Sequence, residues 1–62
     1  MRKIIIAQME EDDEWYPGNI IPRVVYSNHP RFQSGYRFDY GFLQIALGEG
    51  YDVLLLQKEG EN

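Results

Sequence analysis

The sequence predicts a small α+β domain, an antiparallel sheet of three to four strands carrying one short helix in the order ββαβ. Three observations predict it. Two Ile-rich segments, residues 3–9 and 20–26, flank the turn-forming pair Pro17-Gly18. Behind Asp39, the apolar residues Phe42, Ile45 and Ala46 recur at the three- and four-residue spacing of one helix face. Residues 51–57 (YDVLLLQ) then hold a short unbroken apolar run, Val53 to Leu56, of strand length. The alternative is an all-β meander or small barrel. It rests on Tyr36, Phe38, Tyr40 and Phe42 alternating with Arg37, Asp39 and Gly41, the period of a half-buried strand.

Each element has its own local reason. Residues 3–9 read as the first strand, ended by the charge run that follows. Tyr16-Pro17-Gly18-Asn19 reads as a type II turn, with Pro presetting the first central φ and Gly supplying the positive one. Residues 20–26 form the second strand, antiparallel to the first. Pro22 lacks an N–H for the ladder and asks for an edge position or a bulge. Residues 27–35 (SNHPRFQSG) are loop by composition, and residues 36–38 offer a short third strand. Asp39 is a competent N-cap, Phe38 before it can pack on Leu43, and Gly48 or Gly50 can end the helix. Gly41 in the first turn counts against it. In the last strand Val53 and Leu55 point to one face, Leu54 and Leu56 to the other. Such a strand is expected to be central, or to lie with Tyr51 in an oligomer interface.

The stretch ALGEGYDVLLLQK resembles the helix-to-strand passage of several small α+β families. Among them are a bacterial domain family of unknown function and short phage proteins that inhibit host RNA polymerase. The residues concerned are Ala46, Leu47, Gly50, Tyr51, Asp52 and Val53. The resemblance covers about a quarter of the chain and implies the α+β class.

Sixty-two residues make one domain, residues 1–62, and a chain of this size buries only roughly 60% of its unfolded surface. Small folds of this kind lean on disulfides, a metal or a partner subunit. There is no Cys, and one His cannot build a His-rich metal site, so a homodimer or another protein partner is the expected support.

The chain is acidic, with formal charge −4 and a pI near 4.7. That disfavours phosphate-backbone binding and docking on anionic lipid. No apolar run is long enough to cross a bilayer. The basic start and apolar residues 4–7 are too short for a signal-peptide core and run into carboxylates, so a cytoplasmic protein is expected.

Half of the ten acidic residues form one run, Glu10, Glu11, Asp12, Asp13 and Glu14, followed at once by Trp15 and Tyr16. Adjacent carboxylates on an extended chain point to alternate sides and lack the spaced pattern of a Ca²⁺ loop, so no metal is expected. One reading is a solvated loop that protects the hairpin edge. The sharper one is a docking surface, in which negative potential steers a basic partner and the two rings supply the buried contact. The rings folding back over the sheet would remove that anchor.

A second cluster, PRFQSGYRFDYGF, interleaves Arg31 and Arg37 with Phe32, Tyr36, Phe38, Tyr40 and Phe42. Such interleaving can stack single-stranded nucleic acid. The part SGYRFDYG resembles the RNA-recognition-motif signature at Gly35, Tyr36 and Phe38, but departs from it at Ser34, Asp39 and Gly41. The competing reading is a set of core aromatics with snorkelling arginines. Arg31 and Arg37 could equally pair with the acidic run. His29 is the one candidate general base; Ser27 and Ser34 are nearby in sequence, but no oxyanion-hole motif accompanies them, and no Gly-rich phosphate loop or cofactor motif is present. An enzyme is therefore not expected.

The sequence thus points to a small acidic protein-binding module, a regulator or inhibitor of the kind a phage or mobile element encodes. It would dock through residues 10–16 on a basic surface of a larger protein. The alternatives are a structural homo-oligomer joined through Tyr51, Val53, Leu54, Leu55 and Leu56, and a single-strand nucleic-acid binder using the Arg-aromatic cluster.

Overall fold

A computed structural model of the chain describes residues 2–57. Strands β1 (Ile4–Glu11) and β2 (Ile20–Ser27) are followed by helix α1 (Tyr40–Gly48) and strand β3 (Asp52–Leu56). The fold is α+β with the ββαβ order, and the sheet is open. The helix forms over residues that also satisfy the strand alternation, which disposes of the all-β alternative.

The hairpin closes at the Pro-Gly turn, where Asn19 N–H donates to the Tyr16 carbonyl at 3.0 Å and Gly18 has φ +94°. From that turn β2 runs antiparallel to β1, with Glu11 opposite Ile20 and Met9 opposite Pro22. A bulge between Ile6 and Ala7 in the pairing leaves Val25 as the extra residue on β2. Pro22 lies on an edge strand, with its missing donor on the outward side. Its carbonyl, on that same side, accepts from Phe38 N–H at 3.0 Å.

Residues 35–38 cover this outer edge. Gly35 N–H donates to the Val24 carbonyl and Val24 N–H to the Tyr36 carbonyl, at 2.8 and 2.9 Å. The expected third strand is reduced there to a single bridge, Arg23 opposite Arg37.

Helix α1 is capped at both ends. The Asp39 side chain accepts from Phe42 N–H at 3.1 Å. At the other end Gly50, with φ +87°, donates to the Leu47 carbonyl at 3.0 Å while Tyr51 N–H reaches the Ala46 carbonyl at 3.1 Å. This is the paired closure of a Schellman motif, and Gly50 rather than Gly48 ends the helix.

Two expectations about the sheet are corrected. It is mixed rather than antiparallel throughout, because β3 pairs parallel to β1, Ile4 opposite Asp52 and Gln8 opposite Leu56. β3 is also not central. The order is β2-β1-β3. With the far side of β2 already covered by residues 35–38, the free side of β1 is the edge that remains. β3 is therefore an edge strand, with Leu54, Leu55 and Leu56 all exposed.

The core lies between the sheet and the helix. Ile5, Ala7, Val24, Phe32, Phe38 and Ala46 are buried there, with Tyr36, Phe42, Leu43, Tyr51 and Val53 packed around them. Phe32 is the hub, its ring 5.3 Å from both Phe38 and Phe42 and 5.4 Å from Tyr36, centroid to centroid. No helix among the described residues is long and apolar enough to cross a membrane.

Candidate functional site

The acidic run straddles the end of β1 and the hairpin loop, and its five members have different fates. Glu10 and Glu11 complete β1. Asp12 is a correction to the docking set. It turns inward, is 1% exposed, and is unavailable to any partner. Its carboxylate accepts Glu14 N–H at 3.1 Å and Tyr16 N–H at 2.8 Å, so one side chain shapes the loop that follows it. From outside the loop, Arg37 grips the same two oxygens, Nε to Oδ1 at 3.1 Å and a terminal nitrogen to Oδ2 at 2.8 Å. A forked, two-point pair of this kind fixes orientation as well as charge.

The electrostatics follow from those contacts. Hydrogen bonding from Arg37, aided by the Glu14 and Tyr16 N–H groups, holds the Asp12 carboxyl well below the usual carboxylate range despite its burial. Asp12 in turn raises the Arg37 guanidinium. Arg37 also donates to Asp39 at 3.3 Å, the residue that caps α1, and lies over the Tyr16 ring at 5.8 Å. One arginine thus joins the hairpin loop to the start of the helix.

Arg23 ties down two more of the acids, Glu10 at 3.3 Å and Asp13 at 3.4 Å. Sequence reasoning did not single out Arg23. The signal was available in the hairpin register, since Gln8 faces Arg23 and Glu10 lies two residues further along on the same face. Two arginines among six carboxylates (the run plus Asp39) leave the cluster negative, with Glu11, Asp13 and Glu14 exposed.

Trp15 is 71% exposed and Tyr16 62%. The rings do not fold back over the sheet. Beside Trp15 opens a cleft of about 280 Å³, lined by Glu14, Trp15, Arg23, Tyr36, Arg37 and Phe42 among others. The tip therefore presents an indole, a shallow partly aromatic cleft and a rim of carboxylates on one surface.

The Arg-aromatic cluster is built differently. Phe32 and Phe38 are fully buried, and Arg31 lies over Phe32 and Phe42 at 5.1 and 5.0 Å. The rings that a single strand would stack on mostly face one another, and Arg37 is engaged with Asp12. This is the arrangement of core aromatics under snorkelling arginines. Arg31 makes no contact with the acidic run among the described residues.

His29 is buried between Phe32 and Tyr51, 4.5 and 4.6 Å between ring centroids. Its Nδ1 accepts N–H from Arg31 at 3.0 Å and Phe32 at 3.3 Å, which assigns the ring proton to Nε2. Nε2 then donates to Glu49 at 2.7 Å. Both nitrogens are engaged, and the residue fastens the loop after β2 to the end of α1. Among the described residues no group of three or more His, Cys, Asp or Glu converges to hold a metal.

Tyr51 and Val53 are half-buried against the core, while Leu54, Leu55 and Leu56 are exposed along the β3 edge, which pairs with β1 over Ile4 to Gln8, short of the acidic run. The structure therefore keeps the two predicted residue sets apart as two separate surfaces. Comparison with protein-family models, with curated proteins and with solved structures found no match to this chain.

Proposed function

We propose that this chain is a protein-binding module that docks its hairpin tip on a basic surface of a larger protein, acting as a regulator or inhibitor by occupying that surface. The observation that carries this reading is Trp15, a large ring held 71% exposed on a loop organised from beneath by Asp12. A pre-shaped loop loses less conformational freedom on binding. An exposed Trp is among the commonest energetic anchors of interfaces. Glu11, Asp13 and Glu14 around it supply steering toward positive charge and discrimination against acidic surfaces. Where the target surface also holds nucleic acid, these carboxylates compete with phosphate. The reading involves no chemistry.

The test compares capture from cell extract by the immobilised wild-type chain, by Trp15→Ala, and by the triple variant Glu11→Gln, Asp13→Asn, Glu14→Gln. All three leave Asp12 and Arg37 intact. A basic protein retained by the wild type, lost from both variants and released by added salt supports the reading. Retention that ignores both variants sinks it.

A further inference from the structure

We infer that the outer edge of β3 pairs with the same edge of a second copy of this chain, antiparallel across a twofold axis, giving one continuous six-stranded sheet. The two edges of the sheet are treated differently. Residues 35–38 cover the outer side of β2, which also carries Pro22. Among the described residues nothing pairs with the outer side of β3. Asp52 N–H donates to the Lys3 carbonyl at 2.9 Å, so Asp52, Leu54 and Leu56 direct their backbone groups at β1. By alternation Val53 and Leu55 direct theirs outward.

Edges left to solvent are usually blunted with Lys, Pro, a bulge or an inward charge. Val53 to Leu56 have none of these. Leu54 is 51% exposed and Leu56 39% exposed, on the sheet face that the helix does not cover, the face also bearing Ile4 and Ile6. A strand apolar on both faces with a free edge calls for another strand.

A second copy suits this edge by symmetry and by charge. With the twofold axis at Leu55, Leu55 faces Leu55 of the other copy in a hydrogen-bonded pair. Leu54 faces its Leu56, and Val53 its Gln57. The N–H and C=O of Leu55 meet those of Leu55 in the other copy, while the Gln57 carbonyl already accepts from the Gln8 side chain, and the four Leu side chains at positions 54 and 56 close over one another on the open face. β1 begins beside Arg2 and Lys3 and ends in Glu10 and Glu11, and β3 runs parallel to it. Antiparallel pairing therefore sets the basic end of each copy toward the acidic end of the other. It also sends the two hairpin tips to opposite ends of the sheet, which limits repulsion between chains of formal charge −4. The contact does not use the docking surface and is independent of it.

Sedimentation velocity over a concentration series tests the inference, with three variants. The wild type is expected to show a species of twice 7.3 kDa that dissociates on dilution. Leu55→Pro removes an outward donor and leaves the β1–β3 ladder whole, so it should sediment at 7.3 kDa throughout with an unchanged far-ultraviolet spectrum. The chain has no Cys, so Leu55→Cys gives a clean cross-link. A hydrogen-bonded antiparallel pair, at about 5.5 Å between Cα atoms, lies within disulfide reach. Leu55→Cys should oxidise to a covalent dimer, and the exposed Val25→Cys at the bulge should not. A wild type that stays monomeric at every concentration, a Leu55→Pro variant that still dimerises, or equal cross-linking at positions 25 and 55 overturns the inference. If Leu55→Pro does not fold, the wild-type series and the Cys pair decide it.

Discussion

Arg37 and Asp12 are 25 positions apart in sequence and meet through two hydrogen bonds, 3.1 and 2.8 Å, beneath the hairpin tip. The same Asp12 carboxylate accepts two loop N–H groups, so the pair sets both the shape of residues 12–16 and their attachment to the rest of the fold.

Breaking one side of that pair leaves the other buried without its partner, the costlier of the two ways to lose an ion pair. Arg37→Ala should lower the thermal midpoint more than Arg31→Ala, since Arg31 only covers Phe32 and Phe42. It should also broaden the amide resonances of residues 12–16 while those of β3 stay sharp. Thermal melts and a two-dimensional amide spectrum check both parts.

The acid limb of stability should carry the signature of Asp12. Its folded-state carboxyl titrates below its unfolded one, so the unfolded state binds more protons as pH falls. The stabilisation is complete above the unfolded carboxylate range, about pH 4, and is lost progressively below it. Asp12→Asn should flatten that part of a urea-midpoint profile measured from pH 6 downward.

Trp15 is the sole tryptophan, so its fluorescence reports one site. At 71% exposure it should emit at the red end of the tryptophan range and be quenched readily by acrylamide. A blue-shifted, protected Trp15 would contradict the loop geometry and remove the anchor from the docking reading.

The two ends of α1 should respond by different mechanisms. Asp39→Ala removes the cap on Phe42 N–H and should cost about 1 kcal/mol. Asp39→Asn keeps an acceptor there and should recover most of it. Gly50→Ala places a Cβ at φ +87° and should cost roughly 1–2 kcal/mol, through strain alone, since nothing lies within 4 Å of the added carbon. Urea unfolding of the three variants separates these effects.

Phe32→Ala should abolish the fold. Truncating a buried Phe costs about 3–5 kcal/mol. Total stability at roughly 0.05–0.15 kcal/mol per residue is of the same order for a chain this short. Loss of the near-ultraviolet aromatic signal at room temperature, with Phe42→Leu remaining folded, is the expected result.

What the sequence determined by itself was local. The Pro17-Gly18 turn, the Asp39 cap, the glycine stop, the edge position of Pro22 and the order of elements follow from dihedral preferences and periodicities carried within a few adjacent residues. The exposure of Trp15 and Tyr16, the inward turn of Asp12 and the pairing of His29 with Glu49, 20 residues away, were decided only by tertiary structure. Five adjacent carboxylates are equivalent along the chain. They became different once a folded β2 and its covering segment brought Arg23 and Arg37 under some of them and not others. Strand order was decided the same way: an apolar run reads alike whether buried or on an edge, and residues 35–38 closed one side of the sheet, leaving β3 the free side of β1.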